Sequence, residues 1–208
     1  MENELIRSQM SLYQSMEQNY RQQQTYMHDY KNQLGCIQGL LENEKTQEAI
    51  DYIRDLTGGI WKSTDYVDTN HVIVNVILNQ KYQYAQENGI TMIISVNDLS
   101  GLVMAKEDLV VLLSNLLDNA VEACRKLTEN KMIQFKMVME KENLILSVKN
   151  PVQSVPEIHK GKVISSKKNR KDHGIGLTNV ESVVRRNHGI SSIKFEDGYC
   201  FFSAMIPR

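Results

Sequence analysis

The chain has 208 residues, enough for one large or two small domains. A formal net charge of −1 supplies no field to draw in nucleic acid or an anionic membrane, and 41% hydrophobic residues is an ordinary globular composition. No apolar run approaches the roughly 18 to 20 residues that span a bilayer. Met1-Glu2-Asn3-Glu4 does not read as a signal peptide. Cys36, Cys124 and Cys200 are odd in number and scattered, which fits neither a disulfide framework nor a zinc site and points to a reducing cytosol.

From residue 2 to about 43 the chain has no proline, and no glycine before Gly35. A long helix is expected there. Ile6, Tyr13, Tyr20 and Met27 repeat every seven residues, so residues 1–25 read as an imperfect coiled-coil lead-in. His28 follows on a polar stretch. A histidine in that setting is usually just a surface residue, but here Asp29 adjoins it and Asn32 lies one turn on. A carboxylate can accept the Nδ1 hydrogen, fix the tautomer and leave Nε2 as a nucleophile. An amide one turn away can orient a water against a phosphoryl group on that ring. After a turn at residues 42–46, with Thr46 as its expected N-cap, a second helix is expected from Gln47 to Tyr66. Its inner face would be Ala49, Ile50, Ile53, Leu56 and Ile60, with Gly58-Gly59 as a flaw. Two such helices cannot bury their apolar stripes alone, so residues 26–67 are expected to dimerise into a four-helix bundle.

Residues 63–71 form the expected domain boundary, and 70–208 a second domain. A helix is expected over 72–87, closed by Asn88-Gly89, then a strand over 90–96. Lys106 opens the most informative helix. Leu112, Leu113, Leu116, Leu117, Ala120 and Val121 make a broad apolar stripe, and Asn115 and Asn119 sit one turn apart beside it, with Glu122 nearly in line. Asparagine is a middling helix former. Paired this way, its amide oxygens can ligate a hard cation and its NH2 groups can meet phosphate oxygens. The plainer alternative is a polar edge that happens to hold two asparagines.

Met132 to Met139 alternates as a half-buried strand, Leu144 to Lys149 is its hairpin partner, and Asn150-Pro151 is expected to stop it. Residues 151–173 read as a mobile lid. Lys167, Lys168, Arg170 and Lys171 within it can neutralise an anionic ligand or simply mark a solvated loop, whereas nucleic-acid binding is a poorer explanation for so short a run without aromatics. Gly174-Ile175-Gly176-Leu177 then opens a helix, where glycines let backbone N–H groups approach a phosphate. A terminal hairpin turns at Asp197-Gly198. The expected fold is α+β: an N-terminal helical hairpin followed by a two-layer α/β sandwich.

These motifs resemble a known family. Asn115-Leu-Leu-Asp-Asn-Ala-Val-Glu-Ala123 looks like the N box of the GHKL ATPases, whose Bergerat-type fold is shared by histidine kinases, gyrase-type topoisomerases, Hsp90 and MutL. Gly174-Ile175-Gly176-Leu177 resembles the second glycine box, and His28-Asp29-Tyr30-Lys31-Asn32 resembles the H box of sensor histidine kinases, most similar to the Agr and ComD-like kinases that sense peptide pheromones. The resemblance implies that Asn119 holds the Mg2+ of ATP, that Asn150 contacts adenine, and that Asn115, Glu122, Lys167, Lys168, Gly174, Gly176 and Leu177 line the nucleotide. It implies that His28 is the phosphoacceptor, Asp29 the assisting base and Asn32 the phosphatase residue. The gyrase and Hsp90 branch has a catalytic glutamate where this chain has Asn115, and asparagine cannot serve as that base. The chain departs from the wider family at Asn150, where an aspartate is usual, and in lacking the glycines that follow it. The expected protein is a cytoplasmic homodimeric kinase that labels His28 from ATP and passes the phosphoryl group to an aspartate of a response regulator. A sensor is expected upstream in a longer natural chain, and no membrane contact by this segment. Two rivals remain: a non-enzymatic dimeric phosphotransfer scaffold, and a GHKL ATPase or Ser/Thr anti-sigma kinase that uses no histidine.

Overall fold

The computed structural model describes residues 2–57, 67–154, 158–159, 162–163 and 175–208. The chain divides into two compact units, Met1–Lys62 and Ser63–Arg208.

The first unit is a helical hairpin. Helix α1 runs Glu2–Glu42 and α2 runs Thr46–Thr57. Between them Glu44 takes a positive φ of 57°, and Lys45 N–H bonds back to the carbonyl of Leu40 at 2.9 Å. Thr46 is the first helical residue of α2 rather than its cap. Of the expected inner face, Ala49 is buried, while Ile50, Ile53 and Leu56 remain 38–44% exposed. Ile60 and Gly58-Gly59 fall outside the described residues.

The second unit is a two-layer sandwich. Helix α3 (Val72–Glu87) leads through Gly89, at φ 66°, into strand β1 (Thr91–Val96). Helix α4 (Lys106–Arg125) carries Glu107 and Asp108 in its first turn, where the helix dipole favours acids. Strands β2 (Met132–Glu140) and β3 (Asn143–Pro151) form a hairpin. Short strands β4 (Ile158–His159) and β5 (Lys162–Val163) pair antiparallel within the stretch expected to be an irregular lid. Helix α5 (Ile175–Arg186) and strands β6 (Ile190–Glu196) and β7 (Tyr199–Pro207) complete the unit. The main sheet has the order β1-β2-β3-β7-β6, with β1 parallel to β2 and the other neighbours antiparallel. The Asp197-Gly198 turn has φ of 51° and 78°, the left-handed pair that matches strand twist in a tight hairpin.

The helices cover one face of this sheet. Leu112, Leu113, Leu116 and Leu117 of α4 pack with Ile133, Phe135 and Met137 of β2, Leu144, Leu146 and Val148 of β3, and Val180, Val183 and Val184 of α5 in one core. Two strand expectations change. Val138 is buried and Met139 only partly so, which breaks the alternation of β2 near its end, where the Asn97 amide bonds Met139 N–H and carbonyl at 2.8 and 2.9 Å. Strand β3 also continues through Asn150 and Pro151, paired with Cys200 and Tyr199 of β7, instead of stopping there. Proline fits because pairing with β2 ends at Lys149, so residue 151 has a neighbour strand on one side only.

Candidate functional site

Helix α4 exposes its two asparagines differently. The Asn115 side chain donates from Nδ2 to the carbonyl of Val111 at 2.7 Å, so its Oδ1 faces outward. Asn119 is exposed, and no hydrogen bond to a described residue engages its amide. Asp118, between them, is turned away and ion-paired with Lys81 of α3 at 2.6 Å. Glu122 pairs with Lys126 at 3.4 Å.

The first turn of α5 lies directly over this pair. A Cβ added to Gly176 would come within 3.0 Å of Asn115 Oδ1 and 3.5 Å of Asn119 Nδ2. Only a residue without a side chain lets the N-terminus of α5 sit so close to both amides. A helix N-terminus presents backbone N–H groups that have no partner within the helix, here beside two amides that can serve as donor or acceptor. Leu177 is half-buried at the same end. Gly174, Lys167 and Lys168 lie outside the described residues.

The far end of α5 is fastened to α4 by charge. Asp108, 7% exposed, accepts from Arg186 and from Asn187 Nδ2, the latter at 2.8 Å. This clamp fixes the register that seats Gly176.

Asn150 is 6% exposed at the end of β3, which packs under α4. Its Nδ2 donates to the carbonyl of Pro151 at 3.0 Å. A carbonyl can only accept, so the NH2 end must face it and Oδ1 is the end left over. Asn150 therefore offers an acceptor, as recognition of an exocyclic amine needs. Cys200, its partner on β7, lines the same side of the sheet by register. Burial pushes the Cys200 and Cys124 thiols up to about 11, so neither is a thiolate at neutral pH. All three cysteines are free.

In the helical hairpin, His28 is on open surface, its side chain 75% exposed. Its Nδ1 lies 3.2 Å from Asn32 Nδ2 and 3.7 Å from Asp29 Oδ1, which leaves Nε2 unobstructed by either. A groove of about 520 Å³ lies between the two helices, lined by Tyr26, Asp29, Tyr30, Leu34 and Ile37 of α1 with Ile53 and Leu56 of α2. At 3.6 residues per turn, His28 and Asn32 lie roughly half a turn around α1 from Tyr30, Leu34 and Ile37.

Sequence reasoning missed one polar network. Asn79 exchanges bonds with Val67 N–H and carbonyl at 2.9 and 3.0 Å, and Asn75 Oδ1 accepts from Thr69 N–H and hydroxyl at 2.8 and 2.7 Å. Asn75 also donates to Asp68 at 2.9 Å, and Asn70 to Asp98 at 3.1 Å. These bonds hold residues 67–70 against α3. The signal was available, since Asn75 and Asn79 have the spacing that singled out Asn115 and Asn119.

Comparison with known proteins agrees with this architecture. Residues 104–207 match the family model described as the GHKL domain, and the chain belongs to that family. It is similar to a probable C4-dicarboxylate sensor kinase of Halalkalibacterium halodurans (25% identical; 87% of this chain, 36% of the relative). It is also similar to the sensor protein CitS of Bacillus subtilis (29%; 87% and 35%) and the sensor histidine kinase CitA of Klebsiella pneumoniae (26%; 86% and 35%). The chain thus spans about a third of the length of these relatives. Among solved structures, the nucleotide-free catalytic domain of the histidine kinase ThkA superposes with TM-scores of 0.52 and 0.50 in two crystal forms, at 20% identity, covering 64% of this chain and 93% and 91% of those chains. That likeness is one of fold. Among the described residues no helix is long and apolar enough to cross a membrane.

Proposed function

We propose that this chain is the phosphotransfer and catalytic core of a sensor histidine kinase, a protein kinase that phosphorylates its own His28 from ATP and hands the phosphoryl group to an aspartate of a response regulator. The observation that carries the reading is His28 itself. It stands on open surface with its neighbours gathered on Nδ1 and Nε2 left bare, in a chain whose other unit is a GHKL fold.

In this reading Nε2 attacks the γ-phosphorus of ATP. A nitrogen–phosphorus bond forms, the bond from that phosphorus to the β–γ bridging oxygen breaks, and ADP leaves. Asp29 stabilises the proton on Nδ1 as the ring becomes electron-poor. Catalysis rests on positioning and charge neutralisation. The cradle suits the nucleotide, since Gly176 lets the N-terminus of α5 approach Asn115 and Asn119 closely, and Asn150 offers an acceptor to the adenine amino group. Among the described residues no three His, Cys, Asp or Glu side chains gather to hold a metal alone. Asn119 would hold the Mg2+ together with phosphate oxygens, and that ion supplies neutralisation of the β- and γ-phosphate charge. By the family resemblance Lys167, Lys168 and Gly174 would contact the nucleotide, as would Glu122 and Leu177, and Asn32 would orient the water that dephosphorylates the regulator.

The protein works as a homodimer. Tyr26, Tyr30, Leu34 and Leu41 of α1 and Ile50, Ile53 and Leu56 of α2 are 38–64% exposed and too apolar for a hairpin meant to stand alone. Pairing two hairpins covers them and leaves His28, on the other side of α1, uncovered. The histidine block and the Asn150-Pro151 strand end favour the pheromone-sensing branch, while the relatives by sequence are named for dicarboxylate and citrate sensing.

Incubation with γ-labelled ATP tests the proposal. Acid-labile label that disappears in His28→Gln is expected. Acid-stable label, or label retained in that variant, would identify a kinase acting on another residue, and no label would leave a nucleotide-binding scaffold.

A further inference from the structure

Two groups converge on one nitrogen of His28. Asn32 Nδ2 is 3.2 Å from Nδ1, within hydrogen-bond reach, and Asp29 Oδ1 is 3.7 Å away, just outside it. In a neutral imidazole Nδ1 holds either a proton or a lone pair. A carboxylate only accepts, so Asp29 can engage Nδ1 only when that nitrogen is protonated, which leaves the lone pair on Nε2. An amide NH2 only donates, so Asn32 can engage Nδ1 only when it is bare. The ring proton then sits on Nε2 and occupies the lone pair a nucleophile needs. The two contacts exclude each other, and the structure has the shorter one with Asn32.

We propose that Asn32 is a positioning residue that restrains His28 in its Nε2–H tautomer, and that releasing its amide lets Asp29 draw the ring into the Nδ1–H form that can attack. The proton passes between the two ring nitrogens through water, with no net gain or loss. This rests on the reading of His28 as phosphoacceptor and gives Asn32 a part in the forward reaction as well as in dephosphorylation. His28 and Asp29 side chains are 75% and 60% exposed, so water competes for both contacts. The restraint therefore changes the tautomer ratio by about twofold, as expected for an exposed pair four residues apart on a helix. So shallow a bias is cheap to reverse, and turning the Asn32 side chain is enough.

Ring 15N shifts of the full chain, recorded at alkaline pH where imidazole is neutral, report the tautomer directly. The signal of His28 among the five histidines is assigned by its loss in His28→Gln. The Nε2–H form should predominate in the native chain. In Asn32→Ala the ratio should move about twofold towards Nδ1–H, with the initial rate of label uptake from ATP rising by a similar factor. An unchanged ratio, or a shift the other way as if the Asn32 carbonyl had been holding an Nδ1 proton, overturns the restraint. If His28 takes label while the ratio stays fixed, only the restraint fails. If the native chain takes no label, the kinase reading fails whatever the ratio shows.

Discussion

Helices α3 and α4 carry the same polar signature, two asparagines four residues apart beside an apolar stripe, and use it in opposite ways. On α3, the amides of Asn75 and Asn79 are taken up by the backbone of Val67 and Thr69 and by Asp68. On α4, Asn115 uses its NH2 group on its own helix, and Asn119 faces solvent beside Gly176. The spacing says only that two amides share a face. What that face meets decides their work. Residues 67–70 are irregular, and their backbone groups need partners once partly buried. The N-terminus of α5 is the converse case: its first N–H groups lack intrahelical acceptors and stand beside amides with capacity to spare.

Exchanging alanine for one asparagine of each pair should break the comparison cleanly. Asn119→Ala is expected to abolish labelling from ATP, a loss of at least about a hundredfold for a transition-state charge contact, with the melting temperature unchanged within about 2 °C. Asn75→Ala is expected to do the reverse. It strands Thr69 N–H and hydroxyl and costs about 1–3 kcal/mol of stability, while the folded protein binds Mg-ATP within about threefold of the native affinity, under 1 kcal/mol. Calorimetry and nucleotide titration on both variants decide it. If Asn119→Ala lowers stability instead, the α4 pair is structural too.

Two glycines sharpen the same contrast at smaller cost. A Cβ on Gly176 would press on the Asn115 amide and touch that of Asn119, whereas one on Gly189 would sit 2.7 Å from the backbone carbonyl of Met205 and 2.8 Å from Ile206. Gly176→Ala should weaken nucleotide binding about tenfold, near 1.4 kcal/mol, with little change in unfolding. Gly189→Ala should cost about 1–3 kcal/mol of stability as the strand and helix are forced apart, and leave nucleotide affinity of the folded protein alone. Equal effects of both on nucleotide affinity would mean that Gly176 packs the fold rather than shaping a site.

Most elements of the second unit were legible in the sequence because its signals are local. Asn88-Gly89 and Asp197-Gly198 set their turns by backbone preference, and the α4 stripe sets its own burial. The site was half legible. Asn115, Asn119 and Gly176 could be named from spacing, but their meeting depends on α5 lying antiparallel on α4, which the distant contact of Arg186 and Asn187 with Asp108 secures. Nothing local announces a pairing over 78 residues. The β3 end departs from the sequence expectation for a related reason. Proline usually stops a strand, but Tyr199 of β7 pairs with Pro151, and that partner is almost fifty residues further along. The α3 pair has the same spacing as the α4 pair, and spacing alone does not distinguish a clamp on a loop from a site for a ligand.

The smallest effect concerns acid. Asp68 lies below the ordinary carboxylate value of 3.8 because Asn70 N–H and then the Asn75 amide bond its charged form, and Asp98 lies below it because Ser100, by hydroxyl and N–H, and Asn70 do the same. A carboxylate depressed in the folded state takes up protons first in the unfolded chain. Its contribution is therefore complete above 3.8 and drains away as pH falls below that value towards the lowered folded one. Both groups are fully exposed, so the effect is small and screened by salt. It belongs to the α3 clamp, since among the described residues no carboxylate is bonded to Asn115 or Asn119. Asp68→Asn should accordingly melt below the native chain at neutral pH, with the gap closing under pH 3.8. A gap that holds constant into acid would show that Asp68 acts through its shape and hydrogen bonds and not through its charge.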